Sequence, residues 1–161
     1  MSVDLLEQAV VNEQPLFEIS AVAGVDLSAS QYMIVKALGW DTTTGGLVIG
    51  LTVAGEKPLG VLQNDPALGE SANIMVEGKS KSRIGLAVAL QDSWVSDANG
   101  RAVPMSTPTG YDNLTEWVGG QFLGAYVLST TPTGCELGMV LVGCNNPWVN
   151  LYGTAHVDRG Q

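Results

Sequence analysis

From Ala21 onward, every strongly apolar run is strand-length and stops at a cluster of Gly, Asn, Asp or Thr. The longest are Ile84–Leu90 and Met139–Val142. A packed helix needs apolar residues recurring every three to four positions over two turns or more, and the body of the chain offers no such stretch. The pattern predicts an all-β fold. Runs at Gln31–Leu38 and Leu47–Val53 flank Asp41-Thr42-Thr43-Thr44-Gly45-Gly46, the signature of a hairpin loop. Shorter strands are predicted at Leu59–Leu62 and Asn73–Glu77. Arg83–Leu90 reads as the clearest strand: Ile84, Leu86, Val88 and Leu90 share one face, and Gly85, Ala87 and Ala89 share the other. Its large face would pack on a core, and its small face would admit a close neighbour. Ser96–Arg101 contains Asn99-Gly100, which favours the left-handed backbone of a tight turn. Gln121–Leu128 and Glu136–Val142 are the last predicted strands.

The ends read differently from the body. Residues 1–19 form an N-terminal arm, 20–143 the β domain and 144–161 a C-terminal tail. In the arm, Leu5, Leu6, Val10 and Val11 mark one side of a short helix, with Asp4 and Glu7 at capping-box spacing and Pro15 as its stop. Leu16-Phe17-Glu18-Ile19 then looks extended. Such an arm either folds back on its own domain or reaches a neighbour. Residues 104–120 read as a long ordered loop anchored in the core by Trp117. The tail carries Pro147, Trp148, Leu151 and Tyr152, more apolar surface than an exposed tail usually bears. Gly60-Val61-Leu62 through Gly78 and Gly124-Ala125-Tyr126-Val127-Leu128 through Gly143 are weakly similar. Each reads as a strand, a polar loop and a returning strand, and the pair suggests a barrel or sandwich built from related hairpins.

Charge and reactive residues narrow the function. Sixteen acids face seven bases, a net charge of −9. A general nucleic-acid binder needs a basic footprint that this chain lacks. Its one basic cluster, Lys79, Lys81 and Arg83, alternates with Ser80 and Ser82, so in a strand all three share a face. That is either a solvated strand edge or a contact for an acidic partner. His156, the sole histidine, lies in the tail without an orienting partner, and Cys135 and Cys144 have no histidine nearby in sequence. These residues do not make a zinc site, and Asp97-Ala98-Asn99-Gly100 is a turn rather than a calcium loop. The expectation is a non-enzymatic protein without cofactor or metal. The N-terminus shows no secretory signal, and no apolar run approaches a membrane span. What remains is a β domain whose work is contact.

Specific stretches carry a resemblance. Lys57-Pro58-Leu59-Gly60-Val61-Leu62-Gln63, Gly69–Gly78, Ser82-Arg83-Ile84-Gly85, Val95–Pro104, and Phe122–Leu128 leading into Cys135–Gly143 resemble the capsid decoration (cement) proteins of tailed bacteriophages. The resemblance covers roughly residues 55–143 and rests on turns and strands. This chain differs from simpler members in its longer N-terminal half, its 104–120 loop and its aromatic tail. The resemblance implies a small β-barrel or β-tulip domain on the outside of an expanded phage head. It implies the major capsid protein as partner, with neither nucleic acid nor membrane bound. It also implies a homo-oligomer, a trimer first and a dimer second, made in the host cytoplasm. Such a protein bridges neighbouring capsid subunits and stabilises the head. Contact residues on this reading are Leu5, Leu6, Val10, Leu16 and Phe17 in the arm, Lys79, Lys81 and Arg83 in the body, and Trp148, Leu151 and Tyr152 in the tail. The alternatives are a receptor- or carbohydrate-binding module of a phage particle, or a tail or baseplate component.

Overall fold

The computed structural model describes residues 14–87, 89–105, 117–125 and 137–143. Among these, the chain forms strands and no helix. Five strands come first: β1 (Gln14–Ala23), β2 (Ile34–Asp41), β3 (Gly46–Leu51), β4 (Gly60–Leu62) and β5 (Ser71–Arg83). They are hydrogen-bonded in the order β1-β3-β2-β4-β5, and β5 pairs back onto β1, closing a five-stranded barrel. All these pairings are antiparallel except β1–β3, which is parallel and rests on two residue pairs, Val22–Val48 and Ala23–Ile49. Four further strands are β6 (Ser93–Ser96), β7 (Ala102–Pro104), β8 (Gly120–Ala125) and β9 (Leu137–Gly143). They extend the sheet from β5 in the order β9-β8-β6-β7.

The junction is β5, which is 13 residues long. Along one edge its Ser71–Lys79 stretch pairs with β1. Along the other, Ile74 and Met75 pair with β4, and Glu77–Arg83 then pair with β9. The pleat sends successive side chains to opposite faces, so strands at the junction supply two cores at once. Val35, Leu62, Ile74 and Val76 fill the barrel together with Leu27 and Ile49. Their neighbours in sequence, Ile34, Val61 and Met75, turn outward and pack with Trp94, Phe122, Val140 and Val142 beneath the second sheet. Strands buried on both faces need unbroken apolar runs, which explains Gly60-Val61-Leu62 and Ile74-Met75-Val76. Each large side chain fully buried here contributes roughly 1.5–3 kcal/mol relative to its exposed state.

Polar groups within this junction are satisfied. Gln63 Nε2 donates to Ser80 Oγ at 2.9 Å, and Trp94 Nε1 donates to the Leu141 carbonyl at 3.1 Å. Thr52 and Ser96 share a hydroxyl–hydroxyl bond that ties the end of the barrel to the β6–β7 hairpin. Among the described residues, no buried side-chain nitrogen or oxygen lacks a partner. An unsatisfied buried group would cost about 1–3 kcal/mol, so Ser80 and Ser82 are tolerated inside because their hydroxyls have acceptors.

The two predicted hairpins are present. Asp41 pairs with Gly46 across the β2–β3 turn. Ser96 pairs with Ala102 across the β6–β7 turn, where Gly100 takes φ +74°. The strand predicted at Arg83–Leu90 is not there. β5 ends at Arg83, opposite Leu137, where β9 begins, so no described strand remains for the chain to pair with. Ile84 makes a single parallel bridge to Ala102. The chain then turns, with the Ala89 N–H bonded to the Asp92 carboxylate at 2.9 Å. Leu86 and Leu90 are exposed, and Val88 lies outside the described residues. Trp117 is also not a core anchor: it is partly exposed, under the Lys57 ammonium at 5.1 Å, and the core tryptophan is Trp94. β1 starts at Gln14 and runs across the boundary expected after residue 19. The two similar segments both form antiparallel hairpins, but Gly60 opens β4 whereas Gly124 lies near the end of β8 beyond a bulge. They are not equivalent positions.

Gly60 lies against the β5 backbone, where an added Cβ would collide with the Met75 carbonyl. Gly39 faces open space. Gly60→Ala is therefore expected to lose about 1–3 kcal/mol in urea unfolding, and Gly39→Ala to stay within about 0.5 kcal/mol of wild type. Equal midpoints for the two variants would contradict the described junction.

Candidate interaction surface

The register of β5 fixes one side of the molecule. Lys79, Lys81 and Arg83 pair with Leu141, Met139 and Leu137 on β9, while Ser80 and Ser82 between them are buried on the opposite face. Leu141 in turn pairs with Gln121 on β8, and Gln121 with Ser93 on β6. One row therefore runs Lys79–Leu141–Gln121–Ser93 across four strands. Of the β9 residues on that side, Leu141 is exposed and Met139 is not. The basic side chains are positioned by a neighbouring turn. Arg83 Nε donates to the Gln31 carbonyl at 3.0 Å, and Lys81 Nζ lies 5.3 Å from the centre of the Tyr32 ring. Tyr32 takes φ +66°, a conformation of a kind that costs a non-glycine residue of order 1 kcal/mol. It is held by its N–H to Leu62 and by its carbonyl, which accepts from the Arg83 N–H. The other cations of the described body are engaged elsewhere: Lys36 with Glu56, Lys57 with Trp117, and Arg101 with Asp97.

Leu16 and Phe17 sit beside this row. Pro15 pairs with Gly78 and Phe17 with Glu77, leaving Leu16 as the extra residue of a bulge. A bulge re-aims its side chain. Leu16 and Phe17 are 74% and 54% exposed, the pair of apolar residues that sequence singled out in this segment. Leu16 borders a cleft of about 710 Å³, lined also by Glu77, Val118, Gln121, Leu141 and Gly143. Of the remaining sequence-nominated residues, Leu5, Leu6, Val10, Trp148, Leu151 and Tyr152 lie outside the described residues.

A second exposed apolar surface escaped sequence reasoning. Leu38 and Trp40 on β2 are 50% and 64% exposed, with Val25 nearby in exposure. A register shift between Ala37 and Gly39 makes Leu38 a bulge residue. Nothing in the sequence marks that bulge. In the barrel order, β2 is bonded to β3 and β4 and never to β5, so the Leu38–Trp40 surface and the basic row stand on strands that are not neighbours.

Among the described residues, no group of His, Cys, Asp or Glu is placed to hold a metal ion. Three carboxylates are held below their ordinary range by turn contacts. Glu56 is lowered by the Lys36 ammonium at 2.5 Å and by the Val53 N–H. Asp41 is lowered by the Thr44 hydroxyl and the Thr43 N–H, and Asp26 by Ser28. A carboxylate lowered on folding stabilises the native state above its unfolded value. That stabilisation is lost as pH falls through the folded value. The melting temperature should therefore hold between pH 7 and 5 and fall below pH 4.5, the ordinary value for Glu56. Glu56→Gln should lower the pH 7 melting point slightly and shrink the acid-side fall. A fall of unchanged size in that variant would remove Glu56 from the account.

The architecture is that of a small β-barrel enlarged by a second sheet, with exposed apolar residues on β1 and β2 and a basic row on β5. It is similar to the crystal structure of the head fiber gp8.5 N base in bacteriophage phi29, with a TM-score of 0.55 and 15% sequence identity over 80% of this chain and 94% of that one. At that identity the likeness establishes a shared fold. The sequence matches no protein-family model and no curated protein.

Proposed function

We propose that this chain is a structural protein of a phage virion that binds the outside of the expanded head and bridges neighbouring major capsid protein subunits. The observation that carries the reading is the fold it shares with almost the whole of a phage head fiber base. The decoration-protein resemblance of residues 55–143 points the same way from sequence.

Bridging needs two contact surfaces that one partner cannot cover together. The basic row on β5 with Phe17 is one, and Leu38 with Trp40 on the non-neighbouring strand β2 is the other. Lys79, Lys81 and Arg83 would face an acidic patch, with Phe17 supplying apolar burial beside them. Each contact is modest alone. Engaging both makes the second an intramolecular step and raises retention without new chemistry.

The test is co-sedimentation of the purified protein with expanded, undecorated heads and with unexpanded procapsids. Saturable binding to expanded heads alone is expected, and no binding to either would overturn the proposal. The triple variant K79E/K81E/R83E and the single variant Trp40→Ser should each weaken binding at least about tenfold, or roughly 1.4 kcal/mol. If only one of them does, attachment is one-sided and the bridging role fails.

A further inference from the structure

Strand β2 is bonded unequally along its two edges. β3 runs beside it from Val35 to Asp41, whereas β4 pairs with Ile34 and Val35 alone. Among the described residues, the backbone of Lys36–Trp40 has no partner except on β3. Ala37, Leu38, Gly39 and Trp40 are four consecutive exposed residues. Successive side chains of a strand point to opposite faces, so this stretch is open on both faces as well as on its free edge. Natural sheet edges are commonly blocked by an exposed charge or a proline, and these four residues hold neither.

The register makes this edge complementary to itself. Val35 turns its carbonyl to the β4 side, where it accepts from the Leu59 N–H. Backbone direction alternates along an antiparallel strand, so Ala37 turns to the same side. Trp40 does too, once Leu38 is counted out as the bulge residue. Ala37 and Trp40 lie opposite Ile49 and Leu47 and share one face; Lys36, Gly39 and Asp41 lie opposite Gly50, Val48 and Gly46 and share the other. A second β2 laid antiparallel about a two-fold axis through Gly39 therefore sets Ala37 of each copy against Trp40 of the other. It also sets each Lys36 against the other copy's Asp41. Small side chain meets large, and cation meets anion. Gly39 stands at the axis with nothing within 4 Å of an added Cβ. Lys36 is held there by Glu56, and Asp41 by the Thr43 N–H and the Thr44 hydroxyl.

We propose that the free edge of β2 is a homodimer interface, in which two copies of this chain pair along Lys36–Asp41 about a two-fold axis at Gly39. The Ala37 and Trp40 backbones exchange hydrogen bonds across it, extending each sheet into the other. The use of this dimer rests on the head-binding reading: two joined copies present two basic rows, one to each of two neighbouring capsid subunits. The pairing itself is tested on the isolated protein.

Sedimentation of the full-length chain at physiological ionic strength should show a monomer–dimer equilibrium. One strand pair is a small interface, so the dissociation constant is expected on the order of 10 µM. A monomer at about ten times that concentration, or a trimer, would overturn the proposal. The register is read by Gly39→Cys in a chain whose Cys135 and Cys144 are replaced by serine. At the axis the two Cα atoms of a non-hydrogen-bonded pair stand about 4.5 Å apart, within disulfide reach. Mild oxidation should therefore link the Gly39→Cys chains in pairs, at least about tenfold faster than Thr43→Cys chains, whose thiol sits on the exposed β2–β3 turn. Equal rates would overturn the register. Ala37→Pro removes an N–H that bonds across the axis and leaves the β3 ladder intact. It should weaken the dimer at least about tenfold while dilute protein keeps its melting point. If that variant fails to fold, Trp40→Ser is read in its place, and an unchanged dissociation constant in a folded variant would overturn the pairing. Head binding is scored separately: a monomer that binds heads removes this inference alone, and a dimer that binds none removes only the head-binding reading.

Discussion

Everything in this structure hangs on β5 being bonded along both edges. One edge closes the barrel through β1, and the other carries first β4 and then β9. Because the strand is shared, the pleat that fills the barrel with Ile74 and Val76 also pushes Met75 into the second core. Two hydrophobic clusters are thereby coupled through adjacent residues of one strand. A change at Met75 cannot be absorbed by the second sheet without disturbing the barrel backbone beside it. A register shift opposite Phe17 and Glu18 skips Val76, and beyond it the same strand delivers Lys79, Lys81 and Arg83 to the surface in a fixed row, opposite the buried Ser80 and Ser82.

Much of this was legible in the residues. Asp41–Gly46 and Asn99-Gly100 announced their hairpins because turn chemistry is local. The alternation of Lys79, Ser80, Lys81, Ser82 and Arg83 correctly put the three cations on one face. It disguised the length of β5, because serines inside a strand look like solvent-facing positions. Their burial depends on partners that are distant in sequence: the Tyr32 carbonyl accepts from Ser82, and Gln63 Nε2 donates to Ser80 Oγ. The reverse error occurred at Arg83–Leu90. Its alternation was good, but a strand also needs a partner edge, and among the described residues the ladder with β9 stops at Leu137.

The exposed apolar residues were half legible for a related reason. Leu16 and Phe17 stood out as apolar residues in a terminal segment, and both are exposed. Leu38 and Trp40 did not stand out, because two residues apart in a strand they share a face, and apolar residues on one face read as core. The four tryptophans could not be told apart by sequence. Trp94 is buried with its indole N–H satisfied by the Leu141 carbonyl, and Trp40 stands exposed on β2 two residues past the bulge at Leu38.

The distance along the chain between β1 and β5 has a consequence for biosynthesis. On the ribosome β1 emerges first, and its only extensive partner begins at Ser71, about fifty residues later. At ~5–20 residues per second, that leaves the apolar strand without its partner for roughly 3–10 s. The short parallel pairing to β3 is available sooner, but it covers only the last two residues of β1. During that interval, Leu16-Phe17-Glu18-Ile19 is a bare β-edge with a single charge, the kind of segment that pairs with another chain when left exposed.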